Sequence, residues 1–87
     1  MTDGLVLVLS ESSLKKLTGL EPVNRTRIAK KLKEYQDKPL LLEADIKRLS
    51  GTRDPVLYRI RIGDYRVIGS VQARRFEVLD IRHRSSL

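Results

Sequence analysis

The sequence predicts an α+β fold in which an N-terminal strand and a helical hairpin precede a set of antiparallel strands, with both helices on one face of the sheet. Three observations carry that expectation. Leu5-Val6-Leu7-Val8-Leu9 is an unbroken apolar run of strand length. Two segments that follow it space their apolar residues three and four apart, as helices do. From Tyr58 to Ile68, apolar and basic residues alternate around Gly63-Asp64, the period of strands with one face in a core.

The first strand, apolar at every position, reads as an interior strand covered on both faces. Ser10 ends it and is placed to cap the next helix, where Leu14 and Leu17 take the i, i+3 spacing while Lys15 and Lys16 face solvent. Thr18-Gly19-Leu20-Glu21 breaks that helix. Pro22 suits the first turn of a longer one running to about Asp37, with Val23, Ile28, Leu32 and Tyr35 on one stripe and Pro39 as its stop. Leu40 to Ala44 fits a helical turn or extended chain. Ile46-Lys47-Arg48-Leu49 leads into a turn at Ser50-Gly51, and Asp54-Pro55 introduces a hairpin over Val56 to about Val71. Gln72-Ala73-Arg74 makes the next turn, Phe76 to Ile81 the last of three strands after the helices, and Arg82 to Leu87 a tail.

The hairpin is the most specific element. Gly63-Asp64 is a two-residue loop of the primed type, because Gly at its first position accepts positive φ. That length sets Ile62 against Tyr65, Arg61 against Arg66, Ile60 against Val67 and Arg59 against Ile68. Tyr58, Ile60, Ile62, Tyr65 and Val67 then form the core face, and Arg59, Arg61 and Arg66 share the other. Like charges directly opposite one another on a sheet cost about 0.2–1 kcal/mol. Three guanidiniums on one face can bind a phosphate and the charge that builds on it during phosphoryl transfer. The alternative is an ordinary exposed face whose arginines pair with Asp64, Glu77 or Asp80.

Composition narrows the partner. The 87 residues carry a net charge of +7, from 18 Lys and Arg against 11 Asp and Glu, which points to a polyanion, either nucleic acid or an acidic protein. Every Lys lies between Lys15 and Lys47, and from Arg53 onward every cation except His83 is Arg, the residue suited to bidentate phosphate contact. The length corresponds to one domain, 1–87. The absence of Cys excludes a disulfide framework, a thiol nucleophile and thiolate metal sites, and fits a reducing, cytoplasmic setting. A single His and carboxylates without ligand-like spacing leave no metal or cofactor to expect. The Gly residues, at 4, 19, 51, 63 and 69, are too scattered for a phosphate-binding loop. No apolar run approaches the roughly 20 residues of a membrane span. Met1-Thr2-Asp3-Gly4 lacks the basic start of a signal peptide, so no membrane partner is expected. The two helices around Gly19 imitate a helix-turn-helix, but no third helix accompanies them.

Arg82-His83-Arg84 is the second constellation. His83 is the one side chain of a type that exchanges protons near neutral pH, which makes it the acid–base candidate. In a regular strand it would point away from Arg82 and Arg84, so a joint site needs a bend there.

Taken together, Lys47-Arg48-Leu49-Ser50-Gly51, the Tyr58 to Ile68 hairpin and Leu79-Asp80-Ile81-Arg82-His83-Arg84 resemble the RelE/ParE toxin superfamily. That family's pattern is a K-L-x-G turn, a Y-R-I-R-x-G-x-Y-R-V-I hairpin and an apolar strand ending in H-R. The resemblance spans nearly the whole chain in order and spacing. It implies a microbial-RNase-like fold without metal and a ribosome-dependent endoribonuclease that turns the mRNA's own 2′-hydroxyl on the adjacent phosphate. By position, Arg59 and Arg61 match the family's basic pair, Arg66 the Arg after the turn, and Arg84 the basic residue closing the last strand. Arg48, Arg59, Arg61 and Arg82 are the RNA-binding candidates. Arg does not surrender its proton in proteins, so proton transfer falls to His83.

The implied partners are a cognate antitoxin, mRNA on the ribosome and, only through the antitoxin, operator DNA. Active members commonly carry a Tyr a few residues past the final Arg. The Tyr residues here are Tyr35, Tyr58 and Tyr65, so weakened cleavage with retained RNA binding is the expectation. Two alternatives stand beside the nuclease: a ParE-like inhibitor of DNA gyrase, and an inactive member that only binds its antitoxin.

Overall fold

The computed structural model describes residues 6–37 and 46–86. Its elements are β1 (Val6–Leu9), α1 (Glu11–Thr18), α2 (Pro22–Asp37), β2 (Ile46–Arg48), β3 (Leu57–Ile62), β4 (Tyr65–Gln72), β5 (Arg75–His83) and a closing 3₁₀ turn, Arg84–Ser86. The strands form one sheet in the order β1-β5-β4-β3-β2, with β1 parallel to β5 and every other pair antiparallel. Leu5, Pro39 and the segment Leu40 to Ala44 lie outside the described residues.

Local chemistry sets the helix ends as expected. Ser10 is the N-cap of α1, its Oγ accepting from the Ser13 N–H at 3.1 Å. Gly19 closes α1, its N–H donating to the Lys15 carbonyl at 3.0 Å. Pro22 opens α2, where a missing N–H costs nothing.

The inward stripes differ from the sequence expectation at two positions. Ser13 and Leu17 face the core from α1, while Leu14 is half exposed. On α2, Ile28, Leu32 and Tyr35 are buried but Val23 is 63% exposed. The cause in α1 is tertiary. Ser13 Oγ lies 3.0 Å from the Val78 carbonyl and 3.0 Å from that of Ser10, so a polar residue takes the inward place and turns Leu14 out.

Both helices cover one face of the sheet, where Leu17, Ile28, Leu32 and Tyr35 pack with Ile60, Ile62, Val67, Phe76, Val78 and Ile81. Burying each large apolar side chain contributes about 1.5–3 kcal/mol.

Two further expectations are corrected. The sheet has four strands after the helices rather than three, because Ile46–Arg48 pairs with β3 instead of merely leading into the turn. The first strand is not interior. It lies at the sheet's edge, paired to β5 alone, with Leu7 and Leu9 packed on the core and Val6 57% exposed. Its apolar run is accommodated because α2 shields the edge: the Leu7 N–H donates to Gln36 Oε1 at 3.3 Å, occupying a donor that another strand could pair with.

The hairpin register is the one the two-residue loop dictates, with Ile62 opposite Tyr65, Arg61 opposite Arg66, Ile60 opposite Val67 and Arg59 opposite Ile68. Gly63 sits at φ 58°. The β4–β5 connection is equally tight, with Ala73 and Arg74 both at positive φ, the demand of a type I′ turn. A bulge interrupts this second ladder between Ile68 and Gly69: Ile68 opposes Asp80 and Gly69 opposes Val78, leaving Leu79 unpaired.

Candidate functional site

Alternation along the strands sends Ile60, Val67 and Ile81 to the helix-covered face and their neighbours to the other. The register then aligns Arg61 of β3, Arg66 of β4 and Arg82 of β5 in one row across three adjacent strands. At about 4.8 Å per strand spacing, the row runs roughly 10 Å from first Cα to last. Arg66 occupies its centre and is only 9% exposed, whereas Arg61 and Arg82 are exposed. Beside this row lies a second, made of Lys47, Arg59, Ile68 and Asp80. One face thus gathers Lys47, Arg59, Arg61, Arg66 and Arg82 around Ile68.

Two of these guanidiniums have informative surroundings. Arg59 Nε is shielded from solvent and finds no hydrogen-bond acceptor among the described residues. A buried donor in that state is worth roughly 1–3 kcal/mol to an acceptor that reaches it. Arg82 Nε donates to Asp80 Oδ2 at 2.6 Å. Asp80 also takes hydrogen bonds from the Lys16 ammonium and, at 2.9 Å, from the Ile81 N–H, both at Oδ1. Burial works to raise the Asp80 pKa, but the hydrogen bonds from Lys16, Arg82 and Ile81 outweigh it and hold the carboxyl below its ordinary value.

The fold matches solved structures of toxin–antitoxin complexes. The archaeal RelE-RelB complex of Pyrococcus horikoshii OT3 contains a chain 30% identical to this one, with a TM-score of 0.76 and 100% of both chains covered. The RelB-RelE antitoxin-toxin complex of Methanococcus jannaschii matches at 29% identity and a TM-score of 0.74, over 91% of this chain and 92% of that one. The chain belongs to the RelE/ParE superfamily. No protein-family model and no curated protein sequence matches it.

Within this RelE-like fold the candidate residues separate by face. Arg59, Arg61, Arg66 and Arg82 come together, and Lys47, which sequence reasoning missed, joins them opposite Arg59. Its signal was hidden because β2 went unrecognised as a strand. Arg48 alternates to the other face, opposite Tyr58. His83 lies opposite Tyr65 on that same face, its ring edge-on to the tyrosine at 5.1 Å between centroids and 83° between planes. The Ser85 N–H donates to His83 Nδ1 at 3.2 Å, and Ser85 Oγ lies 2.7 Å from the same nitrogen.

The chain bends only after His83, so His83 and Arg82 stay on opposite faces. Arg84 begins the 3₁₀ turn, and its N–H donates to the Asp64 carbonyl at 2.8 Å, which places it beside the β3–β4 loop. Its Nε is 3.8 Å from Asp64 Oδ1, but both side chains are about two-thirds exposed, so the pair is weak. Among the described residues no three His, Asp or Glu side chains cluster as metal ligands, and no helix is long and apolar enough to cross a membrane.

Proposed function

We propose that this RelE-like chain is the toxin of a toxin–antitoxin pair and an endoribonuclease that cleaves mRNA on the ribosome. The observation that carries the reading is the row of Arg61, Arg66 and Arg82 in register on one sheet face, beside Arg59. Opposed like charges cost stability in the free protein and are relieved when a phosphate binds between them. The structural likeness to RelE chains solved with RelB supports an antitoxin as partner. A segment with acidic residues suits the +7 charge of the toxin.

In this reading Arg59, Arg61 and Arg66 hold the scissile phosphate and stabilise the charge that develops as the neighbouring 2′-hydroxyl attacks it. Arg84 approaches from the bent end of β5, while Arg82 contacts flanking backbone; Arg48, on the opposite face, is left out of this contact. No arginine can serve as base. Proton transfer rests on His83, adjacent in the chain to Arg84, and on water or the ribosome.

Ribosome-programmed mRNA cleavage by the wild type and by Arg66→Ala tests the proposal, with an expected loss of roughly 100-fold or more in rate. Absence of cleavage by the wild type together with blocked gyrase supercoiling would replace it with the ParE-like activity. Inactivity in both assays with tight antitoxin binding would leave only an antitoxin-binding role.

A further inference from the structure

Asp80 is a carboxylate directly beside the arginine row, on a face that gathers five cations. On charge alone it weakens an RNA site and would be better absent. Its bonding argues otherwise. Both carboxylate oxygens are in use: Oδ1 takes the Lys16 ammonium from α1 and the Ile81 N–H, and Oδ2 takes Arg82 Nε. The anchor is long-range, since Lys16 is 64 residues away in sequence and about half exposed, while the Asp80 side chain is only 22% exposed.

The grip on Arg82 is one-sided. It uses Nε, and both Nη nitrogens lack a hydrogen-bond partner among the described residues. A guanidinium held at Nε keeps its terminal pair as a rigid fork, the geometry that matches two phosphate oxygens. Arg82 also stands directly opposite Arg66 on the neighbouring strand. The row's span of roughly 10 Å exceeds a single phosphate group, so a phosphate centred on Arg61 and Arg66 leaves Arg82 for the next one along the strand.

We infer that Asp80, braced by Lys16, is a positioning residue that holds Arg82 as a preset fork for the RNA phosphate adjoining the one at Arg61 and Arg66. The inference rests on the RNA-binding reading above and adds to it the residue that orders one end of the row. Preorganisation of this kind raises affinity by removing the entropy cost of fixing a long side chain on binding.

The sign of one substitution decides the matter. Asp80→Asn raises the net charge by one and, on electrostatics alone, should tighten RNA binding. If Asp80 positions Arg82, binding weakens instead, by about threefold to tenfold. Fluorescence anisotropy with a short labelled single-stranded RNA measures this. Arg82→Lys is the companion variant: it keeps the charge on an exposed side chain, loses the fork, and is expected to weaken binding similarly.

In an Arg82→Ala background, Asp80→Asn should no longer weaken binding, because nothing remains to position. Binding by Asp80→Asn as tight as wild type or tighter would overturn the inference, as would an undiminished loss in the Arg82→Ala background. Wild-type protein whose RNA affinity is untouched by Arg66→Met would overturn the underlying reading itself, a result separable from the other two.

Discussion

Arg82 lies directly opposite Arg66 across the β4–β5 ladder, and Arg61 lies opposite Arg66 on its other side. Arg66 is therefore a nearly buried cation between two others of like sign. Its guanidinium donates to the Tyr65 carbonyl, and the like charges on either side of it work against that gain.

Arg66→Met keeps most of that stem and removes the charge. It is expected to raise stability by about 0.5–1 kcal/mol, which for a domain of this size is a few degrees in Tm. RNA affinity should fall in the same protein. Thermal melting beside RNA titration checks both signs; a lowered Tm would mean that the Arg66 charge is a net structural asset.

Asp80 ties stability to pH. Burial would raise its pKa, yet the hydrogen bonds from Lys16 and Arg82 prevail and lower it. A carboxyl with a depressed pKa in the folded state contributes stability that is present above the unfolded value, near pH 3.9, and is lost as pH falls through the folded value. Wild type should thus exceed Asp80→Asn in stability at neutral pH, and the gap should close on acidification below about pH 4. Urea denaturation midpoints across that range measure it. A gap that stays constant would show that the ion pairs contribute little.

Gly69 is held glycine by its neighbours rather than by its backbone angles. A Cβ there would stand 2.3 Å from the Glu77 carbonyl oxygen and 2.6 Å from Cε1 of the fully buried Phe76, beside the bulge. Gly69→Ala is expected to destabilise by at least about 2 kcal/mol, an overpacking cost set by rigid backbone and a buried ring. Chemical denaturation reads it directly, and a loss below half that figure would show that the bulge can shift.

His83 separates binding from chemistry. It stands on the Tyr65 face rather than among the arginines, so His83→Gln should leave RNA affinity within about twofold of wild type. If His83 transfers a proton, the single-turnover cleavage rate should fall roughly 100-fold in the same variant, with the loss confined to the chemical step. Unchanged cleavage would remove His83 from the reaction, and a large loss of affinity would show that it contacts the RNA.

Much of this was legible in the chain because the relevant forces are local. A two-residue loop with Gly at its first position sets the β3–β4 register without help from the rest of the protein. That register is what puts Arg59, Arg61 and Arg66 on one face. Ser10 and Pro22 mark their helix starts through hydrogen bonds and φ preferences that span a single turn.

The tertiary structure decided the rest, because each remaining feature joins residues far apart in sequence. An apolar run such as Val6–Leu9 reads the same whether it is central or shielded at an edge, and only the parallel pairing with β5 and the Gln36 side chain on α2 made it an edge. The bulge at Ile68 and Gly69 shifts the β5 register by one residue, so alternation alone could not show which residues of β5 share a face with Arg66. Arg82 entered the row by strand pairing, and Asp80 found Lys16 across 64 residues. By itself the sequence determined a cationic hairpin, since alternation and loop length are properties of neighbours; folding made it a three-strand arginine row with a braced end, since pairing between distant segments is settled by packing.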